Sequence, residues 1–191
     1  MKKALFIAFT FAFVLSAQAQ TIFGLKLGAN IANLKATVGS IGVTLDTKLG
    51  FHGGGYFTIP AGKNFTIQPE LVYSLEGAEF DQTNSNISLH MINLPLMFQY
   101  NASGFIIEAG PQLGFLLSAI EDGQDATSGY ENINIGLGFG AAYRLRQGVG
   151  FSARYNLGLT GVAKDETQDV TVKSNVIQLG VTFNVATLKR K

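Results

Sequence analysis

The chain has no cysteine and no tryptophan, only four prolines, and charged side chains on just 14% of its 191 residues. Without cysteine there is no disulfide framework, no thiol chemistry and no lipid anchor at an export-signal cleavage site. Histidine is scarce too. His52 and His90 are the only two, and with no Cys and no clustered Asp/Glu beside them they make no recognisable metal-ligand set. Past the first twenty residues, no run approaches the roughly 18 consecutive apolar residues of a membrane-crossing helix. Nothing Pro-, Ser- or charge-rich splits the chain, so a single domain is expected. No cofactor motif and no catalytic motif of any strength is present.

The first residues point to export. Lys2 and Lys3 precede an apolar run from Ala4 to Leu15 that is too short to span a bilayer, and Ala17-Gln18-Ala19 is a small-x-small cleavage site. Residues 1–19 are therefore expected to be a signal peptide cut near Ala19/Gln20, leaving 20–191 as the folded domain. Losing Lys2 and Lys3 takes the formal charge from +1 to −1. No electrostatic case for nucleic acid remains.

What the chain has in abundance is period-two alternation, as in Phe23-Gly-Leu-Lys-Leu-Gly-Ala-Asn-Ile31. Strands are expected at 22–35, 48–60, 64–78, 87–100, 104–119, 132–145, 149–163 and 175–186. Long connectors (Gly39 to Asp46, Phe80 to Asn86, Glu121 to Glu131, Lys164 to Ser174) alternate with tight ones at Pro60–Lys63, Asn101–Gly104 and Arg146–Gly148. That asymmetry fits a closed eight-stranded antiparallel up-and-down transmembrane β-barrel in the outer membrane of a Gram-negative bacterium, all-β. Short turns and both termini would then lie in the periplasm.

Period two alone also allows a soluble barrel with an apolar interior, of lipocalin type. Residue types favour the membrane. The missing Trp is one argument, because such soluble barrels usually carry one near the first strand. The polar face, moreover, mixes glycines with Lys26, Glu70, Glu108, Arg144 and Arg154, which suits a narrow polar lumen. The apolar face carries an aromatic near the short-turn end of every strand: Phe23, Phe57, Phe65, Phe98 with Tyr100, Phe105, Tyr143, Phe151 and Phe183. A ring of this kind is an interfacial girdle. In the last strand Gln178, Gly180, Phe183 and Val185 form a pattern like the signal read by the outer-membrane assembly machinery, although Leu188-Lys-Arg-Lys191 follows it.

Taken together, Gly24-Leu-Lys-Leu-Gly-Ala-Asn30, Met91-Ile-Asn-Leu-Pro-Leu-Met-Phe-Gln-Tyr100, Ala109-Gly-Pro-Gln-Leu-Gly114, Gly138-Phe-Gly-Ala-Ala-Tyr143 and Ala153-Arg-Tyr-Asn-Leu-Gly158 resemble the PorT-like outer-membrane β-barrel family of Bacteroidota. The resemblance spans essentially the whole mature chain, with Asn93 standing where the family often has Glu. It implies a small barrel distantly similar to the OmpA and OmpX type, and through the founding member a link to protein secretion. Fold does not carry function with it.

Several local expectations follow. Pro69, Pro95 and Pro111 fall inside strands of a closed sheet, where a missing N–H suggests a bulge at each. On the fourth strand, an outward set of Ile87, Leu89 and Met91 followed by Ile92, Leu94, Leu96, Phe98 and Tyr100 calls for a bulge at Met91–Ile92. In the lumen, Lys26, Glu108 and Arg154 each lie three residues from the girdle and so at similar depth; Lys26 and Arg154 should approach Glu70 and Glu108 across the bore, with Glu108 also facing Arg144 on the neighbouring strand. The expected function is a non-enzymatic envelope protein with a plugged lumen, serving envelope structure, surface interaction or protein secretion. Expected contacts are outer-membrane lipid, the assembly machinery and a secretion or extracellular partner at the long loops. A small porin-like channel is the alternative. A rim hydrolase or acyltransferase built from inward-facing His52 and His90 with Ser88, Ser118 and the loop acids Asp46, Asp81, Asp122 and Asp125 is a lesser one.

Overall fold

A computed structural model describes residues 21–38, 41–44, 46–80, 85–164 and 170–188. The expected signal peptide, Asp81, the middle of the 164–174 connector and the last three residues lie outside the described residues. Ten strands follow in order: β1 (Thr21–Val38), β2 (Ile41–Thr44), β3 (Asp46–Pro60), β4 (Phe65–Phe80), β5 (Ser85–Ala102), β6 (Phe105–Glu121), β7 (Gln124–Asp125), β8 (Ile133–Arg144), β9 (Val149–Gly158) and β10 (Val170–Leu188). Eight long ones form an antiparallel ring, β1-β3-β4-β5-β6-β8-β9-β10. It closes because β10 pairs with β1 from Thr21–Leu188 to Val38–Val170. Closure pairs the backbone internally and removes the free edge, which is what a β-structure needs in hydrocarbon.

The three tight turns gather at one end. Backbone demands there are specific: Ser103, Gly104 and Gly148 hold φ of 55°, 97° and 88°, the left-handed region glycine enters at no steric cost. At the other end the strands run on. β1 has 18 residues and β10 has 19, whereas about 9–11 suffice to cross a bilayer. The first long connector is mostly strand, because β2 folds back on β1 with Lys35 opposite Thr44 and Val38 opposite Ile41. The apolar Ile41 and Val43 continue the alternation that the loop expectation had ended at 35. β9, by contrast, stops at Gly158 rather than 163. Beyond it the Leu159 N–H turns to the Ile135 carbonyl and the chain bends inward, burying Val162.

Side chains alternate as a membrane barrel requires. Leu27, Leu71 and Phe139 are about half exposed on the outer wall, while Asn30, Ser74 and Asn93 are buried within. The prolines do not bulge the wall. Register is unbroken through Pro69 opposite Leu96, Pro95 opposite Gln112 and Pro111 opposite Leu137. Rungs are skipped around Pro95 and Pro111 without a slip, because flanking rungs on both neighbours hold the strand.

The expected β5 phase change is also corrected. The register shift sits where His90 pairs with Ser118 but Met91 pairs with Leu116, so the extra residue is Leu117 on β6. On β5, Leu89 and Met91 point inward with Asn93, Met97 and Gln99. They join Leu34, Ala78, Ala119, Tyr130 and Val162 in an apolar cluster that fills the long-loop end of the lumen.

Candidate functional site

From the short-turn end upward the lumen is a stack of side-chain layers. Lowest, the Tyr56 hydroxyl donates to Asn184 Oδ1 at 2.9 Å and Thr58 donates to Gln68 at 2.9 Å. Above them is a charged layer. Lys26 Nζ lies 2.9 Å from Glu70 Oε2, and Arg154 grips the same carboxylate with two nitrogens, Nη1 to Oε2 at 2.8 Å and Nη2 to Oε1 at 2.7 Å. Arg154 also donates from Nε to Glu108 Oε1 at 2.7 Å. Gln68 and Gln99 donate the remaining bonds, to Glu70 Oε1 at 2.8 Å and Glu108 Oε2 at 2.7 Å. All four charged residues are buried, none more than 7% exposed. Because β4 and β9 stand opposite each other in the ring, the Arg154–Glu70 fork crosses the full bore.

Register explains this pairing. Glu108 is opposite Gly140 on β8, and Gly140 is opposite Arg154 on β9, so the two charges share one rung on either side of a glycine. A Cβ at Gly140 would fall 2.9 Å from Glu108 Oε1, and the bare backbone there gives the carboxylate its place. The expected Glu108–Arg144 contact is absent. Arg144 lies four residues nearer the short-turn end, past the Phe105–Tyr143 rung, with Glu108 already held by Arg154. The structure thus brings Lys26, Glu70, Glu108 and Arg154 together and leaves Arg144 outside.

The next layer is neutral. Asn30 donates to Ser74 Oγ at 2.9 Å and to the Phe51 carbonyl at 3.1 Å, and its Oδ1 meets His52 Nδ1 at 2.8 Å. Higher still is Glu76, which the sequence reading had passed over. It accepts from Asn93 Nδ2 at 3.0 Å and from Ser174 Oγ at 2.9 Å, again across the bore. Its signal was present, since Glu76 has the same strand parity as Glu70. Lys48, also buried and also missed, donates to the Ile87 carbonyl at 3.0 Å and to Asn86. Beside Glu76, the amides of Asn134 and Asn156 border a cavity of about 10 Å³, room for one water.

The lumen is closed at two levels. The Arg154–Glu70 fork bars the bore, with space of about 20 Å³ beneath it, room for one or two waters, and above Glu76 the apolar cluster caps it. At the cap, burial and the neighbouring Glu121 carboxylate push the Tyr130 phenol up from its usual range. On the loop surface, the Thr127 hydrogen bonds hold the Asp125 carboxyl below its usual range.

The histidines part company. His52 faces the lumen, but His90 is on the outer wall with Nδ1 2.6 Å from the Tyr73 hydroxyl. Ser118 is the register partner of His90, yet no side-chain hydrogen bond joins them among the described residues. The expected inward-facing pair at the rim is therefore not formed. No group of three or more His, Cys, Asp or Glu able to hold a metal occurs among the described residues.

The girdle positions run round the short-turn end by register: Phe23 opposite Phe57, Phe65 opposite Tyr100, Phe98 opposite Ile67, Phe105 opposite Tyr143, Tyr143 opposite Phe151, and Phe183 opposite Leu25. Phe23 and Phe57 meet at a tilt with ring centroids 5.3 Å apart, and Phe65 meets Tyr100 edge-on at 5.1 Å. On β10, Gln178 is buried in the lumen near the seam with β1, whereas Phe183 and Val185 face outward.

A family profile, the outer membrane protein beta-barrel domain, matches residues 17–164. The chain belongs to that family. Two solved barrels are similar in fold. Neisserial surface protein A superposes with a TM-score of 0.55 at 17% identity, covering 85% of this chain and 97% of that one. The outer membrane protein AlkL, determined by solid-state NMR in lipid bilayers, gives 0.50 at 12% identity over 92% and 95%. At such identities the likeness speaks for the fold alone. No curated protein matches the sequence. The chain is a transmembrane β-barrel of the outer membrane, and its outer wall sits in lipid.

Proposed function

We propose that this barrel is a non-enzymatic, non-conducting membrane anchor whose long-loop end, outside the cell, makes contact with a partner or the surroundings. The observation that carries the reading is the double closure of the lumen, by the Arg154–Glu70 fork across the bore and by the apolar cap above it. An eight-stranded barrel has room for side chains and little else, and here that room is filled. The PorT-like resemblance adds a role in secretion or in assembly of secreted proteins as the partner class, engaged at the outer loops or at the periplasmic mouth. In this reading the girdle marks the periplasmic interface, both termini are periplasmic, and Gln178, Gly180, Phe183 and Val185 present the last strand to the assembly machinery.

The absence of cysteine makes the orientation directly testable. Gln124→Cys, exposed at the long-loop end, is expected to react with a membrane-impermeant maleimide on intact cells. Lys63→Cys, exposed in a tight turn, is expected to react only after the outer membrane is permeabilised. The reverse labelling would invert the topology and remove the outer loops as the contact surface.

A further inference from the structure

The charged layer is balanced within itself. Lys26 and Arg154 face Glu70 and Glu108, and Gln68 and Gln99 complete the carboxylates' bonds. Arg144 stands outside that balance. It points inward at the end of β8, half-buried, and forms no ion pair among the described residues. It borders the cavity of about 20 Å³ at the short-turn end, together with Lys26 and Arg154 on the deeper side and the hydroxyl-bearing Tyr56, Ser152 and Thr182.

The lining is rich in donors and in positive charge. Of the three cations that border the space, Lys26 and Arg154 are offset by Glu70 and Glu108, which leaves Arg144 as the one with no carboxylate partner among the described residues. A half-buried guanidinium with no carboxylate partner, flanked by hydroxyl donors, offers an anion charge-assisted hydrogen bonds. The size of the space narrows the choice. About 20 Å³, space for one or two water-sized groups, suits a monatomic ion. We propose that Arg144 and the vestibule beneath the charged layer form a binding site for a chloride-sized monovalent anion, entering from the short-turn end.

The test uses the full mature chain refolded in zwitterionic detergent, unfolded thermally at constant ionic strength while chloride replaces gluconate. Chloride is expected to raise the midpoint saturably, by roughly 2 to 4 °C for a chain of this size. Arg144→Gln should abolish that response, and Arg146→Gln, in the exposed turn, should keep it. Crystals soaked in bromide should then show an anomalous peak against Arg144. Equal midpoints in the two salts, or a chloride response retained in Arg144→Gln, would overturn the site. If Arg144→Gln fails to fold, the bromide peak in the unaltered protein decides, and its absence from the vestibule counts against the proposal.

Discussion

Glu70→Gln is the substitution that loads the charged layer most directly. Glu70 is the hub: it takes one bond from Lys26 at 2.9 Å and two from Arg154 at 2.8 and 2.7 Å, and its side chain is fully buried. Glutamine keeps the shape and removes the charge, leaving two buried cations to share Glu108. Breaking a buried pair by removing one partner costs about 3 to 5 kcal/mol. For a chain of this size that lowers a thermal midpoint by roughly 6 to 20 °C. The rescue is the sharper test. Lys26→Met in the same chain removes the surplus cation and leaves Arg154 and Glu108 as a neutral pair, so the double variant should recover about 2 kcal/mol relative to Glu70→Gln alone. Equilibrium urea unfolding in detergent micelles, read from the fraction that keeps its faster mobility on unboiled SDS gels, measures all four corners of the cycle. Strictly additive losses would refute the shared charge balance.

Leu27→Arg, on the outer wall, should cost about 2 to 4 kcal/mol if it lies near the bilayer midplane, whereas Gln112→Leu in the lumen acts only through packing; equal effects in lipid-vesicle refolding would refute the assignment of faces. Gly28→Ala should weaken the β1–β10 seam, because the new Cβ would lie 2.1 Å from the Leu179 carbonyl oxygen and 2.6 Å from Gly180 Cα. An unchanged band shift on unboiled gels up to the temperature at which the unaltered barrel unfolds would show that the seam is not so tight.

Alternation and turn spacing made the barrel legible. Six of the eight long strands begin and end within about three residues of their expected bounds, and the tight turns fall where Gly104 and Gly148 supply left-handed backbone. What misled was equating apolar with outward. Ile87, Leu89 and Met91 are apolar because they cap the lumen where it rises past the membrane band, and the unbroken parity through Asn93, Met97 and Gln99 already placed them inside. The same parity places Glu76 beside Glu70. Which arginine meets Glu108 was not legible, since both face inward. Strand register decides it, and register depends on where the bulges and turns fall across the whole ring rather than on any one segment. The prolines misled in the other direction: a rung without an N–H can be skipped when neighbours on both sides hold the strand in place.

Single-channel recording in planar lipid bilayers with the purified, folded barrel tests the closed lumen most directly. With the Arg154–Glu70 fork across the bore and the apolar cap above it, the unaltered protein should show no steady conductance, only rare and irregular openings. A steady, ohmic channel of uniform size from the unaltered barrel would contradict the account and make it a pore.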